Sequence, residues 1–148
     1  MSTSARTLSR YLGREILLAV AFILVGFLGL FAFFDLLVEF RYLGRGDYHL
    51  RQVFTFVALS TPTHAYELMP VAVLIGTMYV LAHLANNSEF TVMRAAGMSP
   101  RQASGMLLRM GLLFAVATFV IGEWVAPAAE EAAQQVRLRA MSGSIGEN

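Results

Sequence analysis

The chain of 148 residues has no cysteine, which excludes disulfides and thiolate metal sites. It has no lysine either, and all eleven of its basic residues are arginine. A phosphate loop of the Gly-Lys-Ser/Thr type is therefore absent, so this chain does not bind ATP in that way. If ATP drives it, another subunit performs the hydrolysis. Charge of both signs is scarce: 14% of residues are charged, against roughly 25% in soluble domains. The net charge of +1 suggests no nucleic-acid partner. What is abundant is apolar surface, with 57% hydrophobic residues and a mean hydropathy of +0.60. A soluble chain of this size could not hide so much of it, so the class is membrane protein.

Residues 16–34 are nineteen in a row without a charge, enough at about 1.5 Å per residue to cross most of a hydrocarbon core of roughly 30 Å. Arg6, Arg10 and Arg14 precede them. A signal peptide also starts basic, but its apolar region is shorter and ends in small residues, whereas this run ends in Phe33, Phe34 and Asp35. An uncleaved first span is expected. Residues 35–51 are polar and broken by Gly44 and Gly46, and residues 53–59 form a short apolar stretch at the membrane interface or on the outer ends of the spans. Thr61 followed by Pro62 spells a helix start, an N-cap and a proline at the first helical position. The second span is expected from there, kinked at Pro70. Ser99 and Pro100 repeat the signal for a third span, which Pro127 ends or kinks; a polar helix follows over residues 128–141.

The first arginine group and the group Arg94, Arg101 and Arg109 place the N-terminus and the loop between the second and third spans in the cytoplasm. That loop holds a short helix. Asn86 or Ser88 can cap it, Glu89 suits the positive end of its dipole, and Gly97 is a natural left-handed stop. Phe90, Val92, Met93 and Met98 give it more apolar material than an exposed loop needs. They either rest among headgroups or fill a groove on a cytoplasmic partner, with Glu89 paired to a basic residue there.

The string Ser88-Glu89-Phe90-Thr91-Val92-Met93-Arg94-Ala95-Ala96-Gly97-Met98-Ser99 closely resembles the coupling helix of the lipopolysaccharide-export ABC transporter permeases, the LptF/LptG family. Gly122-Glu123-Trp124-Val125-Ala126-Pro127 resembles the end of the third span in its LptG branch. Ser60-Thr61-Pro62 with Glu67-Leu68-Met69-Pro70 resembles the start of its second span. The resemblance implies an all-α membrane protein, the N-terminal three spans of a six-span permease, with a periplasmic jellyroll domain missing from this stretch. It implies residence in the bacterial inner membrane and a role in lipopolysaccharide transport. The implied partners are a cytoplasmic ABC ATPase dimer (LptB-like), a sibling permease (LptF-like), a periplasmic or bitopic transfer protein (LptC-like) and lipopolysaccharide. No cofactor is implied for this chain; ATP and Mg belong to the partner ATPase. The ATPase-coupling residues would be Glu89, Phe90, Val92, Met93, Arg94 and Gly97.

On this reading the chain divides into a cytoplasmic start (1–15), the first span and its outer extension (16–40), a periplasmic loop (41–61), the second span (62–85), the coupling loop (86–99), the third span (100–126) and a periplasmic lead-in (127–148). At the outer end of the first helix, Asp35 and Glu39 lie one turn apart on one face, with Arg41 and Arg45 following. They form a solvated helix end with local ion pairs, or a charged gate for a phosphate-bearing lipid, which arginine suits. Some family members carry lysine where this chain has Ala32, which leaves Arg41 and Arg45 as the nearest replacements. Gly26 and Gly29 lie three apart and serve close helix packing or line the gate. His64 and Glu67 are expected to reach water or Arg41 and Arg51. A small three-span structural subunit of another membrane complex would share this hydropathy, but not the coupling-helix string. An intramembrane enzyme is disfavoured, because no paired aspartates or serine–histidine pair lie at membrane depth.

Overall fold

A computed structural model describes residues 3–44, 48–95, 97 and 99–142. Among these there is no strand, in keeping with the expected all-α class. Helix α1 (Thr3–Glu39) ends in a tight 3-10 turn at Phe40–Tyr42. Helix α2 (Leu50–Asn86) leads to the short α3 (Glu89–Ala95), then α4 (Pro100–Val120), a π-helical turn (Ile121–Val125) and α5 (Ala126–Ser142). The stretches Ser9–Tyr42, Leu50–Asn86 and Pro100–Ser142 are each long and apolar enough to cross a membrane.

The second helix corrects the expected boundary. It starts at Leu50 rather than Pro62, so most of the expected loop 41–61 is helical. Its true start lies at His49, whose carbonyl accepts from Gln52 N–H (3.0 Å) and Val53 N–H (3.3 Å). The Gln52 side chain returns to accept the His49 N–H at 3.2 Å, half of a capping box. The hydroxyls that suggested a start near Pro62 do not cap forward. Ser60 donates to the Phe56 carbonyl and Thr61 to the Val57 carbonyl, both at 3.0 Å. Such back-bonding lets a helix absorb a proline, because hydroxyls satisfy nearby carbonyls. The third start was read correctly. Ser99 Oγ accepts from Gln102 N–H at 3.3 Å while Gln102 Oε1 accepts from Ser99 N–H at 3.1 Å, a reciprocal capping box.

The third helix does not end at Pro127. In a regular helix the ring of Pro127 would strike the carbonyl one turn back. The π turn lies just there, closing Ala126 N–H onto the Ile121 carbonyl, and α5 runs on to Ser142. Gly122 within this turn leaves room for the Tyr66 ring, which a side chain would strike.

The chain forms two compact units. One takes in residues 1–24 and 69–117. Its core has Leu12, Ile16 and Val20 four residues apart on α1, all 3% exposed or less. Ala72, Gly76, Val80 and Leu84 repeat the same spacing on α2, the helical period. The backbones come closest at Gly76, where an added Cβ would lie 2.7 Å from Val20 Cγ2 and 3.0 Å from Val20 Cα. Lipid tails are as apolar as leucine, so association in a bilayer depends on such close van der Waals contact. The other unit takes in residues 25–68 and 118–148. Its core joins Tyr48, Val53 and Ala140, with Leu36, Tyr42 and Leu43 packed around them.

Candidate functional site

Two places concentrate the residues singled out by sequence. The first is α3. Ser88 turns the chain at φ 57°, and its carbonyl accepts from the N–H groups of Thr91 (3.0 Å) and Val92 (3.2 Å). Ser88 thus caps the helix through its backbone. Glu89 lies in the first turn and Arg94 in the last, each matched to the dipole end it occupies. Gly97 takes φ 89° and donates its N–H to the Arg94 carbonyl at 3.0 Å, the left-handed stop expected of it. Seven residues give a helix about 10 Å long.

The faces of α3 divide differently from the sequence expectation. Met93 is only 4% exposed, and with Leu12, Leu81, Leu84, Ala103 and Leu107 it lines an apolar recess of about 260 Å³. Expected among the partner-facing residues, Met93 instead seats the helix on its own unit. Val92 is 67% exposed, Arg94 is exposed and Glu89 half-buried. The Phe90 side chain, Ala96 and Met98 lie outside the described residues. Helix α3 is thus a short element seated through Met93, with Val92 and Arg94 exposed on its two flanks and Glu89, one turn before Met93, half-buried.

The second place is the charged end of α1. Asp35 and Glu39 do share a face, but neither forms a solvated helix end. Glu39 is 2% exposed. Its Oε2 accepts from the Tyr48 hydroxyl at 2.6 Å, and its Oε1 lies 3.6 Å from an Arg137 guanidinium nitrogen. Arg137 also stacks over the Tyr42 ring, 4.4 Å from its centroid. A buried carboxylate requires this much compensation, because leaving it unpaired costs several kcal/mol, on the order of 3–5. Burial, reinforced by the Glu39 carboxylate beside it, raises the Tyr48 phenol above its ordinary range.

Asp35 Oδ2 lies 2.7 Å from His64 Nε2, and the Phe31 ring lies 5.2 Å from the histidine ring. His64 was expected to reach water, Arg41 or Arg51; it pairs inward instead. Asp35, Ser60, Thr63, His64, Glu130 and Arg137, together with Phe56 and Ala133, line a cavity of about 310 Å³ with mixed polar and apolar walls. Thr63 Oγ1 and His64 Nδ1 are buried there without a protein partner, so the cavity wall keeps hydrogen-bonding capacity for water. Arg41 and Glu67 are exposed, and Arg45 lies outside the described residues. Gly26 and Gly29 face open space, with nothing within 4 Å of an added Cβ. Among the described residues they are not where helices meet.

The residues that sequence reasoning missed are Arg137, Tyr48 and Gly76. Arg137 lies 98 positions from Glu39 (137 − 39), and no local pattern announces such a pairing. Gly76 stood as one more small residue, and only its place in the four-residue ridge could have drawn attention to it.

Three long apolar helices and a short, one-side-anchored helix define a multi-pass α-helical membrane protein. Residues 10–144 match the family described as Lipopolysaccharide export system permease LptF/LptG, and the chain belongs to that family. It is similar to the lipopolysaccharide export system permease protein LptG of Haemophilus influenzae, 35% identical over 137 residues covering 93% of this chain and 38% of the relative. The LptG protein of Escherichia coli K12 is 33% identical over 139 residues, with 92% and 38% covered. The LptF protein of the same strain is 33% identical over 128 residues, with 80% and 32% covered. The chain spans about 38% of the length of these LptG relatives.

Proposed function

We propose that this chain provides the coupling and lipid-facing part of an LptG-type permease, which extracts lipopolysaccharide from the inner membrane for export to the outer membrane. ATP is hydrolysed by a partner dimer on the cytoplasmic side, and this chain, with no phosphate loop, transmits the movement. The sibling is an LptF-like permease, and a transfer protein of the LptC type receives the lipid on the periplasmic side. The N-terminus lies in the cytoplasm, which puts α3 on the ATPase side.

The observation that carries the reading is the build of α3, seated by Met93 with Val92 and Arg94 exposed, in a chain matched to the permease family along residues 10–144. Met93 fixes the helix in an apolar seat, the exposed Val92 and Arg94 stay available to a groove on the ATPase, and the half-buried Glu89 lies at the edge of that seat. Movement of that groove would pass through the seat into α2 and α4, which contribute Leu84, Ala103 and Leu107. At the other place, Arg41 and Arg45 remain the candidates for the lipid's acidic groups, and Gly26 and Gly29 leave a smooth exposed face for its tails. Asp35 and Glu39 frame this region from within rather than meeting lipid directly.

The test is Glu89→Ala in the protein as the cell makes it. Lipopolysaccharide export is expected to fall at least tenfold, with loss of ATPase association or of transport-linked hydrolysis. Normal export together with normal ATPase association would remove Glu89 from the coupling role.

A further inference from the structure

A third place carries none of the roles above. Glu15 is the last charge before the uncharged run of residues 16–34. It lines a recess of about 430 Å³ whose other walls are apolar or aromatic, including Leu18, Phe22, Ile23, Tyr79 and Val80. Its carboxylate makes no hydrogen bond or ion pair within the described residues, although Arg14 is its exposed neighbour. A half-buried carboxylate beside apolar surface loses hydration without gaining a partner. Phe22 is 81% exposed and Leu18 54%, so they extend an apolar track for about 10 Å along α1 from Glu15.

The arrangement has the order of a phospholipid. A carboxylate stands at the edge of the apolar run, an arginine with no partner among the described residues adjoins it, and a track for an acyl chain leads inward. We propose that this recess seats an amine-headed phospholipid. The ammonium donates to Glu15, the phosphate meets Arg14, and one chain lies along Leu18 and Phe22. A quaternary ammonium headgroup has no N–H to give, and a glycerol headgroup brings no positive charge. The recess therefore selects phosphatidylethanolamine over phosphatidylcholine and phosphatidylglycerol. Tyr79, stacked on His83 with centroids 6.1 Å apart, supplies an aromatic wall of the recess.

The test uses the full chain in nanodiscs holding equal fractions of the three lipids, released into detergent for native mass spectrometry. Wild type is expected to retain phosphatidylethanolamine at least about tenfold over phosphatidylcholine, the ratio given by one charge-assisted hydrogen bond. Glu15→Gln, which keeps the shape and breaks no internal bond, should bring that ratio close to one. Glu67→Gln, an exposed carboxylate elsewhere, should leave it at the wild-type value. Phe22→Ala should lower retention of all three lipids without changing their ratio. Equal retention of the three lipids by wild type would overturn the proposal, as would a ratio that Glu15→Gln leaves unchanged. Loss of an associated membrane protein on Glu15→Gln, with no lipid preference in wild type, would assign the recess to a protein helix and overturn it too.

Discussion

In residues 1–24 and 69–117, helices meet where a side chain is missing: Gly76 lets the α1 backbone approach at Val20. In residues 25–68 and 118–148, they meet across a buried carboxylate, with Glu39 held between Tyr48 and Arg137. The first mode relies on dispersion, which is weak for each atom and large in sum, and it is lost as soon as backbones separate. The second relies on a few strong polar contacts, and its strength depends on every partner staying in place. A chain with so few charges commits two of them, Glu39 and Arg137, to one such cluster. That region is therefore specified by partner identity, while the other is specified by shape.

The largest effect should come from breaking the polar cluster. Arg137→Met keeps an apolar stem for the Tyr42 contact but removes the charge opposing Glu39. Removing one partner of a fully buried pair costs about 3–5 kcal/mol; with the guanidinium side chain 31% exposed, about 2–3 kcal/mol is expected after discounting for solvent. Unfolding in mild detergent, followed by circular dichroism, measures it. A loss near zero would show that Tyr48 alone suffices for Glu39.

A smaller effect tests the shape-specified unit. Gly76→Ala places a methyl against the Val20 backbone and should cost about 1–3 kcal/mol, the range for overpacking. Gly26→Ala and Gly29→Ala meet nothing within 4 Å and should stay within about 0.5 kcal/mol. If all three variants behaved alike under the same unfolding measurement, the contrast between the glycines would disappear.

The smallest effect sharpens the account of the phenol. Tyr48→Phe removes one hydrogen bond to the Glu39 carboxylate, about 1.5 kcal/mol at neutral pH, the low end for a bond to a charged group. The fold raises the Tyr48 phenol, so it holds that proton more tightly than the unfolded chain does. The stabilisation is complete below the unfolded tyrosine value of about 10 and declines as pH rises beyond it. Wild type should lose stability between pH 10 and higher pH faster than Tyr48→Phe does. Parallel curves for the two proteins would place the alkaline loss at another group.

Periodicity, composition and caps made the class, the three apolar helices, the third helix start at Ser99 and the stop at Gly97 readable in sequence. These are local properties, set within a turn or two of chain by hydrogen-bond geometry and hydropathy. The start of α2 was misread because Thr61 and Pro62 carry the same residues as a true cap. Whether their hydroxyls bond forward or back depends on whether a helix already runs into them. The α3 segment was legible as a helix, but not which face it hides: Met93 and Val92 are adjacent and both apolar, and only the seat formed by α1, α2 and α4 distinguishes them.

By itself, then, the sequence determined that this chain is helical and lives in a membrane. Apolar run length and scarcity of charge leave no other way to satisfy the backbone. Tertiary structure alone decided that Glu39 is buried rather than bathed in solvent, that Gly76 rather than Gly26 marks a close approach, and that Glu15 has no partner among the described residues. Each of those depends on residues tens of positions away, whose proximity is created by packing and written in no local pattern.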